Sequence, residues 1–220
     1  MGLYMAYGVL TSVMVVGMFL IFVVRNRLTL WKDRLYLRML LLLVLAVVSE
    51  LVWRDILPSF LQPDAESEVA FRIFVSIYTL LLFYQFFLYD MALTCKSGLR
   101  KTVLYQVFFC IFLLVVVISV VSPLLHFTWF YNNNLHSYNL WGNFLQILML
   151  LICLCAGVYL IIQSKNVLNK RKYQILLAVH YLLLIDLCVQ LVLNTKRLVS
   201  YFVFSVIMIL YYRLFHKNEL

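Results

Sequence analysis

Residues 103–121 read VLYQVFFCIFLLVVVISVV, nineteen positions with no charge, no glycine and no proline. At about 1.5 Å per residue such a run, wound as a helix, extends some 28 Å, close to the roughly 30 Å hydrocarbon thickness of a bilayer. Working outward, similar runs recur at about Leu3 to Val24, Leu35 to Val52, Phe71 to Leu93, Leu140 to Ile162, Ile175 to Leu193 and Leu198 to Leu214. None of them alternates polar and apolar residues with period two, so a membrane barrel strand is not the reading. Backbone groups must be satisfied within lipid, and each run is therefore read as a helix.

Composition agrees. Of the 220 residues 65% are hydrophobic and 12% charged, with a mean hydropathy of +0.99. Soluble domains hold roughly 45–50% and 25%. The expectation is a single all-α domain over residues 1–220, a polytopic membrane helix bundle of seven spans. Six remain an alternative, because only Asn194, Thr195, Lys196 and Arg197 separate the last two runs.

Charge sets the expected orientation. The chain carries 18 Lys and Arg against 9 Asp and Glu. Arg25, Arg27, Lys32, Arg34 and Arg38 follow the first run, Lys96, Arg100 and Lys101 the third, Lys165, Lys170, Arg171 and Lys172 the fifth, and Arg213 and Lys217 the last. Fourteen of the 18 thus fall on one side, the cytoplasmic signature, which places the N-terminus outside and the C-terminus inside. Topology and anionic headgroups account for the basic excess, and nucleic acid is not an expected partner. No signal peptide is read, since the positive charges follow the first apolar run. Ala6 stands where a myristoylation motif at Gly2 needs Ser or Thr.

Cys95, Cys110, Cys153, Cys155 and Cys188 lie in or beside apolar runs and are read as reduced packing residues, not as a disulfide framework. No metal site and no cofactor are expected. Phosphate-loop, metalloprotease and nucleophile-elbow motifs are absent from the sequence, and the chain is not expected to be an enzyme.

Polar groups inside apolar runs are costly in lipid and carry what functional signal there is. Asp186, in Leu184-Ile185-Asp186-Leu187-Cys188, falls near the middle of its run, and Asp186, Gln190 and Asn194 share one helix face. They are the wall of a ligand cavity open to the outside or an interhelical hydrogen-bond ladder. His180 is six residues from Asp186 and on another face, which reads as a packed or interfacial histidine. Glu50 has Arg54 one turn on and Arg72 as a second potential partner, and is a structural ion pair or part of a site for a cationic ligand. Gln85 and Gln146 read as packing glue. Asp90, read at the cytoplasmic edge among Lys96 and Arg100, pairs poorly with Asp186 as a proteolytic dyad, because the Gly-x-Gly-Asp of intramembrane aspartyl proteases is missing.

Between the fourth and fifth runs, residues 122–139 alternate aromatic residues with an Asn132-Asn133-Asn134 turn. This reads as a hairpin-like lid with rings at headgroup level. Its Trp129, Tyr131, His136 and Tyr138 join Asp186, Gln190, Asn194 and Glu50 as candidate ligand-binding residues.

The basic first loop, the Phe87-Leu88-Tyr89-Asp90-Met91-Ala92-Leu93-Thr94 end of the third run, Ser122-Pro123 before the aromatic hairpin and the sixth run with Gln190 together resemble the seven-helix N-terminal input regions of bacterial signalling proteins. In that group the helices precede a diguanylate cyclase (GGDEF) or histidine kinase output domain. The resemblance implies a sensory, receptor-like module in the bacterial inner or plasma membrane, binding a small or amphiphilic ligand from the outer side. Tyr211-Tyr212-Arg213-Leu214-Phe215 would be the exit toward the cytoplasm. Since the sequence ends at Leu220 without an output signature, any output enzyme is expected beyond it or in a partner; a homodimer stays open. A transporter, or the substrate-binding membrane subunit of one, is the alternative.

Overall fold

The computed structural model describes residues 2–25, 30–56, 64–94, 103–125, 131–132, 137–138, 140–166, 168–193 and 197–216. Among these the protein is helical apart from one small hairpin. Its elements are α1 (Gly2–Arg25), α2 (Trp31–Leu51), a π turn at Val52–Ile56, α3 (Ala65–Thr94), α4 (Val103–Leu124), β1 (Tyr131–Asn132), β2 (Ser137–Tyr138), α5 (Leu140–Gln163), α6 (Lys170–Leu193) and α7 (Arg197–Phe215).

Among the described residues five segments are long and apolar enough to cross a membrane: Ala6–Val24, Glu66–Thr94, Tyr105–Leu124, Gly142–Gln163 and Lys170–Val189. Two helices fall short for different reasons. Lys32, Asp33, Arg34 and Arg38 crowd the first two turns of α2, with Glu50 near its other end, and of α7 the described apolar stretch is the shorter Ser200–Phe215. The sequence reading placed a span at each of the seven helices, and among the described residues five meet the length and apolarity that crossing requires.

The faces turned away from the bundle are apolar. On α1 Val9, Leu10, Val13, Leu20 and Val24 are exposed, and on α4 Val103, Val107, Leu113, Leu114 and Val117. In water such a surface would be a large unpaired patch, whereas lipid tails cover it without cost. This is the arrangement of a membrane protein.

Helix α3 is central, packing against α2, α4 and α5. Every residue from Phe86 to Met91 is buried, so this part of the helix is enclosed on all sides. Helix α1 packs on α2 and α7, and α6 on α5 and α7. Ring contacts fix the alternation of direction. Phe22 near the end of α1 meets Tyr36 near the start of α2 and Tyr212 near the end of α7, while Tyr7 and Phe202 meet at the other end of the bundle. Phe87 of α3 stacks on Phe108 of α4 with centroids 4.4 Å apart. The ends of α1, α3, α5 and α7 and the starts of α2, α4 and α6, where most of the described basic residues lie, therefore share one end, called here the basic end.

The expected hairpin between α4 and α5 is present in the backbone: Tyr131 pairs with Tyr138 and Asn132 with Ser137 in an antiparallel ladder. Helix α4 runs two residues past Ser122, with Pro123 in its last turn. A proline there forfeits one backbone bond, and the Ser122 hydroxyl donates to the Ile118 carbonyl in the same turn.

Candidate functional site

The polar chemistry of the bundle gathers near its basic end, in two buried His–carboxylate pairs joined by tyrosines. Burial in a membrane bundle leaves a polar side chain no water to fall back on, so a partner within the protein is what offsets its desolvation.

The inner pair is Asp90 of α3 with His180 of α6. Nε2 of His180 lies 2.8 Å from Oδ2 of Asp90, and both side chains are fully buried. Nδ1 of His180 is 2.9 Å from the Leu176 carbonyl one turn earlier. A carbonyl only accepts, so Nδ1 carries a hydrogen, and the Nε2 to Oδ2 contact then needs one proton shared between imidazole and carboxyl. Helix α5 closes over this contact at Gly157. A Cβ there would stand 2.5 Å from Nε2 of His180 and 2.9 Å from Oδ2 of Asp90. Only glycine lets the α5 backbone come this close. One turn before it, the buried Cys153 thiol lies within electrostatic range of Asp90, as does Tyr211 of α7. Among the described residues Oδ1 of Asp90 and the Tyr211 hydroxyl have no hydrogen-bond partner.

The outer pair is Asp33 at the start of α2 with His216 just after α7. Nδ1 of His216 lies 3.0 Å from Oδ1 of Asp33, and Nε2 lies 3.0 Å from the Tyr89 hydroxyl. Tyr36 of α2 packs its ring 4.6 Å from the His216 ring and donates its hydroxyl to the Met208 carbonyl at 2.7 Å. The two pairs are contiguous. Tyr89 precedes Asp90 in α3 and stacks on Tyr211, which stacks in turn on Phe86, and Phe86 lies 5.1 Å from the His180 ring.

The residues singled out from the sequence lie elsewhere. Asp186 is half-buried, on a stretch of α6 where Leu182, Ile185 and Val189 are exposed. Gln190 is in the last turn of α6, and Asn194 lies outside the described residues. Glu50 is buried in the last turn of α2, at the opposite end from the two pairs and next to the π turn. Close by, Ser49 and Tyr78 share a hydrogen bond. Glu68 accepts from Trp53 Nε1 and Arg72 Nε, each at 3.0 Å. Arg72 thus has Glu68 as a partner. Tyr131 and Tyr138 pair through their backbones, whereas Trp129 and His136 lie outside the described residues. Gln146 of α5 reaches Ser119 of α4 at 3.4 Å, a packing contact of the kind expected.

Two readings of the sequence are refined. Asp90, placed by charge context at the cytoplasmic edge, is fully buried and enclosed by α5 and α6. His180, read as packed, is packed and also carries the one charge-capable contact of Asp90 among the described residues. No spacing in the chain announces either pair, since their members stand 90 and 183 residues apart. Among the described residues no group of three or more His, Cys, Asp or Glu side chains is placed to hold a metal ion. Among protein-family models, curated proteins and solved structures none matches this chain, so its residues and their geometry alone bear on its function.

Proposed function

We propose that the protein is a receptor-like membrane module of seven spans, with its N-terminus outside and its C-terminus cytoplasmic. It binds a small or amphiphilic ligand from the outer side and conveys its state through α7 to a cytoplasmic output domain or signalling partner. The observation that carries this reading is how α7 is held. Its last turns are tied by polar contacts to two other helices, to α2 through Asp33 and Tyr36 and to α3 through Tyr89. A ligand that favours one packing of α2 and α3 therefore acts on the end of α7 directly, and a population shift needs no more than such a differential contact. The outer half supplies Glu50, the Asp186 stretch of α6 and the hairpin between α4 and α5 as the ligand-facing elements.

The test is a ligand screen by thermal shift on the full chain in lipid nanodiscs, followed by amide hydrogen exchange with any compound that stabilises it. Altered exchange at 208–216, diminished in Asp186→Asn or Glu50→Gln, is the expected result. A stabilising compound that leaves 208–216 unchanged overturns transmission through α7. Impermeant thiol labelling of single cysteines placed at 137 and 167 reads the orientation, with only the former expected to react from outside.

The buried Asp90–His180 pair favours a second reading, a proton-coupled transporter, because ionisable pairs inside membrane bundles often mark ion or proton pathways. Substrate uptake into proteoliposomes by the chain alone, lost in Asp90→Asn, would replace the receptor reading.

A further inference from the structure

The two histidines differ in what a proton can do to them. At His180 the Leu176 carbonyl fixes the hydrogen on Nδ1, and α5 seals the pair at Gly157. At His216 both ring nitrogens face side chains, Asp33 at Nδ1 and Tyr89 at Nε2. Nε2 faces the Tyr89 hydroxyl, which donates to a neutral imidazole and, after a rotation about its C–O bond, accepts from an imidazolium. Nδ1–H donates to Asp33 in both states. His216 can therefore gain or lose a proton without forfeiting a hydrogen bond; what changes is the charge, an ion pair with Asp33 when protonated and a neutral-to-carboxylate bond when not. Asp33 retains some exposure, its side chain 9% accessible, which opens a route for the proton at the basic end.

We propose that His216 is a proton-operated latch holding the end of α7 to α2 and α3, with the hydrogen ion of the aqueous phase as its ligand. Titratable and charged groups face it from several sides: Asp33 and Tyr36 on α2, Tyr89 on α3 and Tyr212 on α7 itself. Lys172 of α6 stands 5.1 Å over the ring of the neighbouring Phe215, and Lys32 and Arg34 flank Asp33 in the chain. From α1 the neighbour is the Phe22 ring, edge-on at 5.2 Å. The latch is tight while His216 is charged and Asp33 ionised. It loosens as rising pH removes the imidazole proton, within the range of about pH 5 to 8 where histidines ordinarily change charge. A second loosening follows at acid pH when Asp33 protonates.

This inference deepens the receptor reading by naming a regulator of α7, and it rests on that reading only for its consequence downstream. The test needs no ligand. Amide exchange of 208–216 is followed in the full chain in nanodiscs between pH 5 and 8.5, corrected for the intrinsic pH dependence of exchange. Protection is expected to fall roughly fivefold with rising pH, on the order of the difference between an imidazolium–carboxylate ion pair and a hydrogen bond from neutral imidazole to the same carboxylate. His216→Gln and Asp33→Asn should flatten the profile, and Tyr89→Phe should displace its midpoint. Wild-type protection that does not change with pH overturns the latch, as does a profile that His216→Gln leaves intact. A pH-dependent α7 end that no ligand ever perturbs would sink the receptor reading and leave the latch standing.

Discussion

Nε2 of His180 and Oδ2 of Asp90 meet at 2.8 Å across the interface of α6 and α3, with the α5 backbone pressed against both at Gly157. Three helices are thereby registered by one contact. In a bilayer, where apolar helices gain nothing from leaving lipid for one another, such a contact together with close packing is what selects a single arrangement.

Gly157→Ala should destabilise the protein by about 1–3 kcal/mol, because its methyl group would lie 2.5 Å from His180 Nε2 and something must move. Gly17→Ala in α1 meets nothing within 4 Å and should be neutral or slightly stabilising, since alanine is the better helix former. Thermal unfolding of both variants in the same detergent checks the contrast. Equal effects would mean that α5 does not close on the pair.

Removing one member of the inner pair strands the other in a dry site. Asp90→Leu and His180→Leu should each cost about 3–5 kcal/mol, and the double variant clearly less than their sum. A double-mutant cycle measures the coupling. Additive effects would show that the two side chains do not interact in the folded protein.

Tyr36→Phe deletes the hydroxyl donated to the Met208 carbonyl while preserving the ring packing on Phe22 and His216. A loss of about 0.5–1.5 kcal/mol is expected, with faster amide exchange near 208–212 and none of comparable size in α4. Exchange that rises equally in all helices would point to a general effect and not to this bond.

Asp64 precedes α3 as its N-terminal cap. Its Oδ1 accepts from the Ser67 amide at 2.9 Å, and its carbonyl oxygen accepts from the Ser67 hydroxyl. Hydrogen bonding to Ser67 holds the Asp64 carboxyl below its ordinary range. A group whose folded value is depressed contributes above its unfolded value and loses that contribution as pH falls through the folded one. The first turn of α3 should therefore fray in acid below the usual carboxylate range. In Asp64→Ala it should be frayed at every pH, read from amide exchange at 66–69.

The course of the helices was legible in the sequence, since the apolar runs lie within the observed helices to within a residue or so. Helix α3 shows where the reading stopped short: it begins at Ala65, six residues before Phe71, because Glu66 and the Glu68–Arg72 pair continue the helix as polar turns ahead of the uncharged run. The candidate site was far less legible. Asp186 drew notice by its depth in the run, yet neighbouring residues on α6 face away from the bundle. Asp90 looked peripheral by its charged neighbours in sequence and is enclosed. Depth along a helix can be counted from the chain; rotation about its axis cannot when both faces are apolar.

The sequence by itself determined that this is a membrane protein built of helices, where those helices run, and which end gathers the positive charge. Each follows from a local requirement, that a segment in lipid satisfy its own backbone and match the hydrocarbon thickness. Only the tertiary structure decided that Asp90 meets His180 and that Asp33 meets His216. Lipid-facing and core-facing sides of these helices are made of the same residues, so the partner of a buried polar group is set by how neighbouring helices interlock and not by hydrophobicity.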